Sequence, residues 1–213
     1  MPETCAVLTG DLVKSTKVDR QTVEAAFEAL QGASRQIRSW PGEADAPQLE
    51  RFRGDGWQML VKCPERALRA ALLCSAFVSS VGKDSATRVA VGIGPLAELS
   101  QSGLGASDGP AFRASGRLLE TMTKRDRIAA DAGEGFPDEV ACWIEASFDL
   151  SGALARSWTV KQAHVMAQML GLPGPTQAQV GDDLGVTQQT IQGHFEGAEG
   201  PALLKVLERI EGL

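Results

Sequence analysis

No run in this 213-residue chain approaches the roughly 18 consecutive apolar residues that a membrane-spanning helix needs, and the N-terminus passes through Glu3 and Thr4 without a basic segment. No membrane span is expected, and a cytoplasmic setting follows. Histidine is nearly absent: His164 and His194 stand thirty residues apart, with no acidic or cysteine partner at ligand spacing. That excludes a Ser–His–Asp triad and a His–Cys zinc site. The cysteines, Cys5, Cys63, Cys74 and Cys142, are widely spaced without a CxxC pair, and two of them sit in apolar runs where a thiol packs as a small hydrophobe, so metal binding through cysteine is not expected. Positive charge is also short, 21 basic against 27 acidic residues, giving a net charge of −6. Generic attraction to nucleic acid is thereby missing, and any contact with DNA has to be local.

What is present is ordinary globular material, 43% hydrophobic and 23% charged. Residues 4–13 are a short apolar run rich in β-formers and closed by Gly10 and Asp11, which predicts a buried strand. Val23, Ala26, Phe27, Leu30 and Ile37 recur at helical spacing within 19–39. Residues 47–63 predict two short strands around Gly54, Asp55 and Gly56, because Asp-Gly favours a tight hairpin turn. A helix follows Pro64 and runs to Gly82, a strand covers 87–94, and a Gly/Ser/Asp-rich loop spans 95–109. A helix from about Pro110 to Lys124 and a short strand at 127–131 complete the pattern. The order β-α-ββ-α-β-α-β implies an α+β domain of ferredoxin-like type, with helices covering one face of a mainly antiparallel sheet. Strand signals stop at Pro137, and a connecting helix over 138–155 leads to a different composition. The division expected is 1–155 for the sheet domain and 156–213 for an all-α domain.

Asp11 and Asp55 each stand beside glycine at a strand end, where a side chain meets a ligand without a neighbouring Cβ in the way. Two carboxylates there can share a divalent metal; the alternative is a turn residue bonded to its own backbone. GDLVKST at 10–16 and RFRGDGWQ at 51–58 resemble the two metal motifs of the class III nucleotidyl cyclases. RVAVGIG at 88–94 and DGPAFRASGRLLE at 108–120 are similar to the strand and helix that follow in that family. The resemblance implies Mg2+ or Mn2+ on Asp11 and Asp55, and a nucleotide held by Arg51, Gly54, Arg113 and Arg117. It makes Arg51 the base-recognition residue and Arg117 the catalytic arginine that stabilises phosphoryl charge. It also implies a homodimer, with carboxylates and arginine drawn from different subunits. One departure weighs against cyclisation: the family's ribose-positioning asparagine is replaced here by Arg113. For Arg113 and Arg117 the alternative is a solvated helix face, with Glu120 as a neighbour.

In the last third, Thr159 caps a helix over 158–170 that ends at Gly171, and a second short helix starts near Gln177. Gly185 makes a turn and Thr187 caps a third helix, a helix-turn-helix pattern with Val180, Leu184, Val186 and Ile191 as its core and a small residue, Gly181, where the helices approach. Thr187, Gln188, Gln189, Gln192 and His194 are the candidate DNA-facing residues, glutamine being able to read adenine with two hydrogen bonds. Four basic against six acidic residues after position 150 leave a small bundle used for packing or dimerisation as the competing reading. The two-part arrangement is similar to the SatD-like family of bacterial proteins. A nucleotide-responsive transcriptional regulator is the function expected. An active cyclase and a protein-interaction module are the alternatives.

Overall fold

The computed structural model describes residues 4–13, 19–46, 49–52, 54–96, 99–100, 102–133 and 135–212. Residues 14–16 of the first cyclase-like motif and Arg53 of the second lie outside them. Strand β1 (Thr4–Leu12) sits centrally, antiparallel to both β3 (Gly56–Val61) and β4 (Thr87–Pro95). The hairpin partner β2 (Glu50–Phe52) lies outside β3, and β5 (Ile128–Asp131) runs parallel to β4 at the opposite edge. The resulting order, β2-β3-β1-β4-β5, is the ferredoxin-like arrangement with one added strand.

Alternation along the strands sorts residues onto two faces. Ala6, Leu8, Trp57, Met59, Val61, Val89, Val91 and Ile93 form the main core with α1 (Arg20–Arg38) and α2 (Ala67–Val81). Helix α1 is amphipathic and starts at Asp19, whose carboxylate accepts from the Thr22 backbone amide at 2.9 Å. Helix α2 is apolar on most of its circumference, Arg69 being its one charged residue, and its residues are buried nearly throughout. It is sandwiched between the sheet and α5 (Val160–Met169), which joins the same core through Ala163, Val165 and Met166. The core is therefore continuous across residue 155.

Helices lie on both faces of the sheet, against the expectation of one covered face. Helix α3 (Pro110–Thr121) packs on the second face, where Gly92 and Gly94 of β4 leave room for its backbone. A Cβ added at Gly92 would stand 2.2 Å from the Ala111 carbonyl oxygen. The hydroxyls of Thr9 and Ser115 meet at 2.7 Å beneath α3, and the Gln58 amide donates to Thr9 at 3.1 Å. A buried polar link thus fixes the height of the helix. Helix α3 also ends at Thr121, short of the expected Lys124.

Helix α4 (Asp138–Ser157) covers the edge strand, crossing it at Gly152, where a Cβ would meet the Ile128 backbone at 2.8 Å. Three short helices follow α5: α6 (Gln177–Leu184), α7 (Gln188–Gly197) and α8 (Gly200–Glu211). Capping boxes Thr159/Gln162 and Thr176/Gln179 start α5 and α6. The far end of the chain returns to the sheet unit through Arg69 on α2 and Glu211 on α8. Their side chains are 3% and 1% exposed and pair bidentately at 2.6 and 2.8 Å.

Candidate functional site

The corner where β1 ends carries the acids expected to matter. Asp11 stands opposite Gly56 on one side and opposite Arg88 on the other, on the same sheet face as α3. Arg88 Nε donates to Asp11 Oδ1 at 2.9 Å and its Nη2 donates to Oδ2, while Nη1 donates to the Met122 carbonyl. The fork of one guanidinium therefore engages both carboxylate oxygens. Hydrogen bonding to Asp11 holds the Arg88 guanidinium above its ordinary range against the opposing effect of burial, with Asp11, Asp126 and Asp55 adding attraction. Asp55 adjoins this corner: its carbonyl accepts from the Leu12 amide at 3.2 Å.

A divalent ion on Asp11 therefore competes with Arg88 for the same two oxygens. Among the described residues, no group of three or more His, Cys, Asp or Glu side chains is arranged to hold a metal. Arg88 was legible only as part of a strand. Its role follows from register, because a residue directly opposite an aspartate on a neighbouring strand faces it.

The structure does not bring Arg51 to this corner. Arg51 pairs with Trp57 across β2 and β3 and so faces α1, where it bonds Glu24 at 3.0 and 3.1 Å. Its guanidinium lies 3.8 Å from the Phe27 ring centroid, and its Nε donates to the Gly54 carbonyl at 2.9 Å. Gly54 takes φ +82 in the exposed turn, a conformation that favours glycine. Arg113 and Arg117 stand one helical turn apart on α3, both exposed. Arg113 pairs with Asp108 at 2.7 Å instead of with Glu120. Among the described residues Arg117 makes no ion pair, which leaves its donors available to an incoming anion.

In the C-terminal helices, α6 and α7 are joined by Gly185, Val186 and Thr187. Gly185 adopts φ +65, and the Val186 amide closes the turn onto the Gly181 carbonyl at 2.9 Å. Gly181 is needed for this approach, since a Cβ there would lie 2.8 Å from the Val186 oxygen. Val180 and Ile191 are buried as expected, but Val186 is 42% exposed because it sits at the tip of the turn. Thr187 caps α7 with its hydroxyl, accepting from the Thr190 amide at 3.2 Å, so that oxygen is already used. Gln188 and Gln189 are exposed in the first turn of α7. Gln192 donates to Glu196 at 2.9 Å, and His194 is half-buried.

No helix among the described residues is long and apolar enough to cross a membrane. No protein-family model matches the chain, and no curated protein does. Among solved structures, the guanylyl cyclase Cya2 is similar to it at a TM-score of 0.43 and 13% identity, over 62% of this chain and 77% of that one.

Proposed function

We propose that the chain is a nucleotide-responsive regulator that reads DNA through α7. The observation that carries this reading is the α6–α7 pair, two short helices joined by a tight three-residue turn, with Gln188 and Gln189 exposed where the second helix begins. In a helix-turn-helix protein that end of the second helix enters the major groove and meets base edges. Glutamine offers a carbonyl and an amide together, the pattern that matches adenine. Acidic residues outnumber basic ones after position 150, so the contact depends on base edges and on pairing of two chains more than on phosphate charge.

A nucleotide is assigned to the sheet unit, supported by the motifs shared with class III cyclases and by the unpaired Arg117 on α3. Cyclisation is disfavoured, because Arg88 occupies both oxygens of Asp11 and Arg113 stands where the cyclases carry a ribose-positioning asparagine. A homodimer completes the reading, since two-fold pairing brings two α7 helices to two half-sites. Its support is the apolar stripe on α4, where Trp143 is 76% and Leu150 67% exposed.

The test is selection of bound sequences from random duplexes, with and without each nucleoside triphosphate, followed by titration of the enriched duplex. Gln188→Ala or Gln189→Ala weakens binding to that duplex by about 1–3 kcal/mol per lost bidentate contact and leaves nonspecific binding unchanged. Failure to enrich any sequence under any condition refutes DNA reading and leaves these helices as a protein-contact module.

A further inference from the structure

At the seam between the sheet unit and the C-terminal helices lies a cleft of about 450 Å³ that none of the cyclase-like motifs touches. Its walls come from the loop after α2, the residue that precedes β5, the last turn of α4 and the first residues of α5. The charged side chains that line it are Lys83, Arg127 and Arg156, all cationic, in a chain whose net charge is −6. Among the described residues none of the three forms an ion pair. Three like charges lining one concavity repel one another, and an entering anion relieves that repulsion.

The details of the lining point the same way. Arg127 is half-buried and spends only Nη1 on protein, donating to the carbonyls of Lys124 and Asp126 at 3.1 and 3.2 Å. Burial and the nearby charges of Arg156 and Arg88 push its guanidinium below the ordinary range, and Asp126 only partly offsets this. Ser85 also lines the cleft; it is 7% exposed, and its hydroxyl has no hydrogen-bond partner among the described residues. Buried hydroxyls are rarely left so. The N-terminus of α5 opens onto the same space at Thr159 and Val160, adding the positive end of a helix dipole. Arg127 and Arg156 also line a second cleft of about 470 Å³, where Arg125 joins them but Asp126 and Asp149 supply counter-charge that the lining on the Lys83 side lacks.

We propose that this cleft binds a phosphate-bearing small molecule, a pyrophosphate or the polyphosphate of a nucleotide. Arg127 forms the fixed floor, Arg156 and Lys83 close on the ligand, and Ser85 with the Val160 amide, which the Thr159/Gln162 capping box leaves unused, completes the cradle. Such a ligand would tie the α2–β4 loop to the α4–α5 corner, from which α6, α7 and α8 continue. The site requires neither DNA reading by α7 nor a nucleotide near Asp11.

Calorimetric titration of the full-length chain with inorganic pyrophosphate, and separately with ATP in the absence of added metal, tests the assignment at constant ionic strength. The expected result is saturable binding of one pyrophosphate per chain. Arg156→Gln and Lys83→Gln, both at exposed positions, should each weaken it about tenfold or more, the loss of one charge-assisted contact. Lys205→Gln on α8 removes the same charge elsewhere and should leave the affinity unchanged. Absence of saturable binding by either anion overturns the proposal. So does equal weakening by Lys205→Gln, which would mean bulk charge. Displacement of pyrophosphate by a random duplex would reassign the cleft to DNA backbone and likewise overturn it.

Discussion

Replacing Glu211 tests how firmly the C-terminal helices belong to the sheet unit. Arg69 and Glu211 are 142 positions apart, joined by two parallel hydrogen bonds of 2.6 and 2.8 Å, and almost wholly shielded from water. Removing one member of a buried pair leaves the other charge without compensation, at a cost of about 3–5 kcal/mol. Against a total stability of about 5–15 kcal/mol, that is a large fraction. Glu211→Ala should show the full loss in urea unfolding followed by circular dichroism. Glu211→Gln keeps the shape and one acceptor and should fall toward the lower end. The double variant Arg69→Met/Glu211→Leu should recover most of the stability, since an apolar pair of similar volume has no charge to desolvate. If Glu211→Ala costs less than about 1 kcal/mol, the pair behaves as a solvated surface bridge and the end of α8 is frayed from α2 in solution. That result would refute the reasoning.

Two further outcomes bear on the charged corner and the core. Arg88→Gln frees the Asp11 carboxylate, so Mn2+ measured by electron paramagnetic resonance should bind that variant more tightly than the parent chain; equal affinity would show that Arg88 does not compete with metal. Burial pushes the Cys74 thiol from 9.0 up to about 12, so the folded chain keeps it neutral while the unfolded chain ionises it. Its contribution to stability is complete below pH 9.0 and is lost as pH rises toward about 12. Over that window the stability difference between the parent and Cys74→Ala should change by about 1.4 kcal/mol per pH unit, to the parent's disadvantage. A difference that stays constant with pH in urea titrations would contradict the burial.

The sequence by itself determined what is local. Thr159 and Thr187 announce helix starts because a cap satisfies amides only three residues away. Gly54-Asp55-Gly56 announces the hairpin, and a short apolar run of β-formers closed by Gly10 and Asp11 announces the buried strand β1. Asp11 and Asp55 were each legible as an acid beside glycine at a strand end, whereas their adjacency was an expectation of the cyclase resemblance and rests on the β1–β3 register. Only the tertiary structure decided which charges meet. Arg51 carries the motif of a nucleotide contact, yet the β2–β3 register turns it onto Phe27 and Glu24. Arg88 looked like part of a strand, and the β1–β4 register sets it against Asp11. Helix α2 gives no amphipathic stripe to read because α5, almost eighty residues later, covers its outer side. The Arg69–Glu211 pair and the cluster of Lys83, Arg127 and Arg156 join segments far apart in the chain. Side-chain periodicity reports the face a residue occupies within its own element, whereas charge pairing depends on the register and packing between elements, which no local pattern encodes.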